Sequence, residues 1–202
     1  MEKVIEPKFE PKCVLIGIAG QMKSGKSSLA SLLAQQFDLP VVSYAESLRM
    51  EVSQAFFHKQ QKSEARFLWD MLEERDKTMT RPMLQAWGEA RRNLNYEDYW
   101  VKRLRHYVES KGITMAIVDD VRHINEAEDI LKNGGVIIRL SAKRSTLEAR
   151  GAKGLEHSSE DIEKLDDYFA KRGSHGTTQI ASDGRTPHGL FVVAKEMLGV
   201  LL

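Results

Sequence analysis

The 202-residue sequence is poor in cysteine, proline and aromatics and has no long apolar run, and each scarcity closes off a class of protein. A single cysteine, Cys13, cannot form an internal disulfide, so a disulfide-stapled fold is excluded and a reducing compartment suits the chain. Cys13 lies in an apolar run and reads as a buried small hydrophobe rather than a reactive thiol. The longest apolar stretch, Cys13 to Ala19, is far shorter than a membrane span. Residues 1–12 are charged, hold two prolines and read as a loose arm, not a signal peptide. The expectation is a soluble cytoplasmic protein with no membrane partner. One-signed charge is also lacking. Thirty Lys and Arg against 29 Asp and Glu leave a net charge of +1, which offers no broad positive field to a nucleic-acid polymer. No Asn-Lys-x-Asp guanine reader, Gly-x-Ser-x-Gly elbow or zinc-ligand spacing occurs.

With 42% hydrophobic and 29% charged residues, the composition suits one domain with a full core. Cys13–Ala19 has the continuous apolar pattern of a strand buried on both faces of a parallel sheet. From Ser27 the spacing of Leu29, Leu32, Leu33 and Phe37 turns helical. A strand is expected at Leu39–Tyr44, then helices at Ala45–Phe57, Ser63–Lys77 (capped by Ser63), Arg81–Leu94 (Pro82 in its first turn) and Tyr99–Lys111. Strands follow at Ile113–Val118 and Val136–Leu140, separated by a helix at Asn125–Lys132. A last strand is expected at Thr177–Ala181 and a closing helix at His188–Leu201. Strands alternating with helices predict a three-layer α/β/α fold with a mostly parallel sheet of about five strands. Residues 1–202 then form one domain, with helical residues of about 45–111 and charged, Gly-rich residues of about 141–176 as inserts.

Gly20-Gln-Met-Lys-Ser-Gly25-Lys26-Ser27 matches G-x-x-x-x-G-K-[ST], between the first strand and an amphipathic helix. Such a loop wraps backbone N–H groups around a β-phosphate and aims a helix N-terminus at it. Lys26 would bridge the β- and γ-phosphates, and the Ser27 hydroxyl would ligate magnesium. Gly20, Lys23, Ser24, Gly25, Lys26, Ser27 and Ser28 are therefore the ATP-binding candidates, with Lys23 open between a phosphate contact and a solvated loop residue. The strand Met115–Val118 ends in Asp119-Asp120-Val121-Arg122, without the Asp-Glu pair of motor ATPases. A small-molecule kinase with a mobile, Arg-bearing cover is the expectation, with Arg144, Arg150 and Lys153 as candidate cations.

Five segments resemble the bacteriophage-type deoxynucleoside monophosphate kinases, within the broader adenylate-kinase-like group. They are the P-loop; Ser43-Tyr-Ala-Glu-Ser-Leu-Arg49; Arg81-Pro-Met-Leu-Gln-Ala-Trp-Gly-Glu-Ala-Arg-Arg92 leading to Tyr99-Trp100-Val101; Asp120-Val-Arg122 with Asn125-Glu126-Ala127; and His157-Ser-Ser-Glu160. The resemblance implies transfer of the γ-phosphoryl of ATP, with Mg2+, to a (deoxy)nucleoside monophosphate, and places an acceptor-phosphate contact at Arg49. His157 and Glu160 are carried by the resemblance alone. Members often have Gly-Thr-Glu where this chain has Gly88-Glu89, which leaves open whether Arg91 or Arg92 faces the substrate. Arg91 lies four residues after Trp87, on the apolar side of its helix, where a charge must pair or open onto a cleft. Asp119 and Asp120 stand at the carboxyl end of a strand, the ligand side of an open α/β sheet. Asp120 is favoured to orient the magnesium shell or the acceptor hydroxyls because it begins the Asp-Val-Arg segment. Gln85 and Trp87 are base-pocket candidates, and Arg122 a phosphate contact. A kinase of another phosphorylated metabolite and a non-catalytic nucleotide-binding regulator remain as alternatives, and homodimerisation is left open.

Overall fold

A computed structural model describes residues 13–58, 61–152, 162–173 and 175–201. Among these, a five-stranded sheet has the order β2-β3-β1-β4-β5, with every pairing parallel. Its strands are β1 (Val14–Gly20), β2 (Val41–Val42), β3 (Met115–Val121), β4 (Val136–Ser141) and β5 (Thr177–Ala181). The expected three-layer α/β/α architecture is present. Side chains alternate along each strand and so feed two separate cores. Leu15, Ala116, Val118 and Ile137 enter one, while Ile16, Ile18, Ile117, Ile138 and Leu140 enter the other.

The second core is covered by α1 (Lys26–Phe37) and α9 (Pro187–Leu201), through Leu29, Leu33, Leu190 and Leu198. The first is covered by α5 (Tyr99–Ser110), α6 (Ile124–Lys132) and α8 (Glu163–Arg172), through Leu104, Ile130 and Leu165. Arg139, 4% exposed on β4, meets this layer with a two-pronged bond to Asp166 of α8 at 2.7 and 2.9 Å, which neutralises a guanidinium the sheet would otherwise strand. Four helices, α2 (Tyr44–Phe57), α3 (Lys62–Arg75), α4 (Lys77–Leu94) and α5, intervene between β2 and β3. The short α7 (Arg144–Ala149) follows β4.

Several expected boundaries move. The strand expected at Leu39–Tyr44 shrinks to Val41–Val42, because Tyr44 already begins α2. Helix α3 starts at Lys62, so Ser63 lies inside its first turn and Gln61 is the cap residue. Helix α4 starts four residues earlier than expected. The Asp76 carboxylate accepts from Thr78 N and Met79 N at 3.0 and 3.2 Å, and that cap outweighs the missing donor of Pro82 one turn later. Strand β3 runs on to Val121, so both aspartates lie within it. Its register against β1 slips after the Gly17–Val118 pair, three residues of β3 spanning two of β1 up to the Ala19–Val121 pair. A bulge of this kind re-aims side chains, and Asp119 and Asp120 sit in it. Lys153, His157 and Glu160 lie outside the described residues, as does the expected N-terminal arm.

Candidate active site

Gly20 ends β1, and the loop to α1 folds tightly over the sheet's carboxyl edge. Gly20 has φ 155°, and a Cβ there would lie 2.7 Å from both the Leu140 carbonyl oxygen and Ser24 Oγ. Gly25, at φ 103°, precedes α1 in a left-handed conformation that a side chain rarely adopts. Lys23 takes φ 65° without being glycine, a strain on the order of 1 kcal/mol that is typical of ligand-gripping turns. Lys26 Nζ arches back over the loop and donates to the Gly20 and Gln21 carbonyls at 2.7 and 2.8 Å. Ser24 Oγ is buried and finds no hydrogen-bond partner among the described residues. The first-turn amides of α1 have no helical carbonyl to bond. Together these make a cradle of donors suited to a polyphosphate.

A cavity of about 400 Å³ opens on this cradle, lined by Lys23, Gly25, Lys26, Ser27, Ser28, Arg150, Arg185, Pro187 and Leu190. Arg150 is held there by the Lys23 and Ser182 carbonyls at 3.3 and 2.8 Å and by Ser182 Oγ at 3.2 Å. Arg144, expected beside it, instead pairs with Glu148 one helical turn away at 2.8 Å, and it does not line the cavity. Arg185 was not foreseen, because its approach depends on how the loop after β5 returns to α1.

The two aspartates part company. Asp119 Oδ2 accepts from Ser27 Oγ at 3.2 Å. Burial pushes its carboxyl pKa up, the neighbouring Asp120 adds to this, and the Ser27 hydroxyl and Lys26 pull it partly back. Asp120 turns to the other side of the sheet. It accepts from Tyr44 N at 3.0 Å, Ala45 N at 2.8 Å and Ser43 Oγ at 2.7 Å, closing the open amides at the start of α2. The carboxylate in contact with Ser27 is therefore Asp119, while Asp120, expected to orient the magnesium shell or the acceptor hydroxyls, is bonded to the start of α2. Alternation along β3 is the reason: Ile117 faces the core under α1 and Val118 the other, so Asp119 returns to the α1 side and Asp120 to the opposite one. Ser27 and Asp119 are hard oxygen donors in contact. Magnesium takes one or two protein oxygens and completes its shell with water and phosphate, so the pair fits it.

A second cavity, about 560 Å³, lies at the carboxyl end of β3 between α2 and α4. Arg49, Lys77, Arg81, Arg92 and Arg122 line it, with Gln85 and Asn93 as amides, Leu48, Leu84 and Trp100 as apolar wall, and Tyr44, Glu73, Glu89, Asp120, His123 and Glu126 as the remaining titratable groups. Arg49 pairs with Glu73 at 3.3 Å. Arg81 Nη1 lies 3.2 Å from Met22 Sδ, so this α4 residue of the second cavity's lining touches the P-loop. In the sequence Arg81 stands at the expected start of a helix, and it shares a face with Gln85 at i, i+4.

The adjacent arginines differ in placement. Arg92 lines the cavity; Arg91 does not. Arg91 Nε bonds Glu51, and its guanidinium lies 5.6 and 5.5 Å from the Trp87 and Tyr99 ring centroids. Trp87 Nε1 also donates to Glu51 at 2.9 Å, so Trp87 is a strut between α2 and α4 rather than a wall of the cavity. Burial pushes the Glu51 pKa up, but the hydrogen bonds from Tyr99, Trp87 and Arg91 outweigh it and hold the carboxyl below its usual range.

No family model matches the chain, and no curated protein is similar enough to match. Solved structures do match in fold. A gluconokinase from Sinorhizobium meliloti is 16% identical, with 95% of each chain covered and a TM-score of 0.50. A sugar kinase from Janibacter sp. is 15% identical over 93% of this chain and 95% of that one, with a TM-score of 0.49. The shikimate kinase of Aquifex aeolicus is 18% identical over 93% and 96%, with a TM-score of 0.45. At these identities the likeness is one of fold.

Proposed function

We propose that the chain transfers the γ-phosphoryl of Mg-ATP to the phosphate of a nucleoside monophosphate, a deoxynucleotide being the acceptor that the sequence resemblance favours. The observation that carries this reading is the contact of Arg81 with Met22, which joins a polyphosphate cradle to a cation-lined cavity. A P-loop accounts for the donor. The acceptor cavity has the volume of a nucleotide site, and its make-up argues against a neutral hydroxyl acceptor. Five cations, Arg49, Lys77, Arg81, Arg92 and Arg122, suit an anion, while the apolar wall and the Gln85 and Asn93 amides suit a base. Helices α2–α5 would then be the acceptor-binding insert.

An ionised phosphate is already nucleophilic, so the work is positioning and charge neutralisation. Lys26 exchanges its two loop carbonyls for phosphate oxygens. Ser27 and Asp119 would hold magnesium, which when bound offsets charge on the β- and γ-oxygens. Arg92 and Arg122 grip the acceptor phosphate from the floor of its cavity, and Arg81, at the junction, neutralises charge spreading over the transferred group. Arg150 and Arg185 flank the donor.

The test is a screen of nucleoside monophosphates for ATP-dependent diphosphate formation, run with wild type and Lys26→Ala. Diphosphate from the wild type alone is expected. Turnover only with a phosphorylated sugar or other metabolite would move the acceptor class. ATP binding without any product would make the chain a nucleotide-binding regulator.

A further inference from the structure

Glu126 is a carboxylate only 3% exposed, at the floor of the acceptor cavity, and nothing so far gives it a task. Its two oxygens face different ways. Oε2 accepts from Arg122 N at 2.8 Å and His123 N at 3.0 Å, so it pins the turn by which the chain leaves β3. Oε1 lies 3.8 Å from Arg92 Nη2, across from α4. One buried side chain thus fixes the backbone that carries one cavity arginine and faces the guanidinium of the other. The His123 side chain completes the turn by accepting from Glu126 N, closing a capping box at the start of α6.

A capping glutamate alone has no need of a cation. Capping boxes use either Glu or Gln at this position. Here the residue is buried, and Arg92 is itself mostly desolvated, which depresses its pKa despite the attraction of Glu126, Glu89 and Glu97. A guanidinium in such a place needs an acceptor or an opposite charge close by, and Glu126 Oε1 supplies the charge within ion-pair distance. Arg92 and Arg122 come from elements separated in sequence by α5 and β3, and Glu126 is the group common to both.

We propose that Glu126 is a positioning residue that sets Arg92 and Arg122 at the spacing needed to grip the acceptor phosphate. This rests on the phosphotransfer reading above. Glu126→Gln separates the proposal from a capping role. Gln can accept both amides through its oxygen, but its NH2 then faces Arg92, donor against donor, so the cap survives and the arginine loses its guide.

The experiment compares wild type, Glu126→Gln, Arg92→Ala and the double variant, measuring melting temperature and KM and kcat for ATP and for the monophosphate that the wild type turns over best. Glu126→Gln is expected to melt no lower than wild type and to keep its KM for ATP. Its kcat/KM for the acceptor should fall by about tenfold or more, as misplacement of a gripping group does. In the Arg92→Ala background the same substitution should change acceptor kinetics far less, since residues acting through one another are not additive. Acceptor kinetics unchanged in Glu126→Gln, or a loss fully additive with Arg92→Ala, would overturn the proposal while leaving the kinase reading intact. A folded Glu126→Gln protein with ATP and acceptor KM raised alike would also overturn it. A wild type that phosphorylates no monophosphate overturns both.

Discussion

The separation of Asp119 from Asp120 yields the sharpest mutational contrast. Replacing Asp120 by Asn keeps the shape but leaves one oxygen for three donors. If that oxygen stays with Tyr44 N, the new NH2 confronts Ala45 N and Ser43 Oγ, which now bond Oδ2 at 2.8 and 2.7 Å. Hydrogen bonds to a charged acceptor contribute about 1.5–3 kcal/mol each, and caps typically about 1 kcal/mol. Asp120 is partly exposed, which discounts the upper end, so a loss of about 2–3 kcal/mol is expected. For a chain of this length that lowers the melting temperature by roughly 4–12 °C. Asp119→Asn should behave oppositely. Burial already disfavours its charged form, so the variant should melt at or above wild type while Mg-ATP affinity falls by about ten- to a hundredfold. Thermal melts with a magnesium titration of ATP binding read both effects. The reasoning is refuted if Asp120→Asn melts with wild type and loses the magnesium dependence instead.

Two further outcomes follow. In the folded protein burial, reinforced by Asp120, raises the Glu126 pKa to about 7, against about 4.5 in the unfolded chain. A carboxyl raised on folding contributes stability that is complete below about pH 4.5 and is lost as pH rises to about 7. The difference in stability between Glu126→Gln and wild type should therefore grow in favour of the variant across that window, by up to about 3 kcal/mol. A difference flat in pH would contradict it. His123, buried neutral with its pKa lowered to about 3, acts in the opposite sense as pH falls below about 6.5, but it is common to both proteins and drops out of the comparison. Removing Glu51 should destabilise the chain by about 3 kcal/mol, because Arg91, Trp87 and Tyr99 all lose one acceptor, whereas removing Arg91 should cost less and leave acceptor KM near wild type. Urea unfolding and steady-state kinetics on the two variants check this.

The sheet was legible because apolar runs such as Cys13–Ala19 have no other soluble home, and the P-loop because glycine is required where backbone and phosphate approach. Residues that depend on which face of a strand meets which helix, or on a distant partner, were not. Alternation separates Asp119 from Asp120, but only the fold shows that the Ile117 face of β3 is the one under α1 and Ser27. Arg91 and Arg92 look alike until Glu51, on another helix, claims the first. Glu126 stood within a quoted motif, but only folding buries it opposite Arg92. Pro82 misled because a proline inside a helix is costly, while the decisive signal, Asp76 with amides two and three residues on, lay upstream.

On this reading the two cavities, linked by the Arg81–Met22 contact, are the donor and acceptor halves of one reaction site. A dinucleoside polyphosphate long enough to span both tests it most directly by calorimetric titration in magnesium. Its second half binds at high effective concentration, so affinity at least a hundredfold above that for ATP is predicted. Affinity no greater than that for ATP, unchanged by Arg92→Ala, would contradict the account.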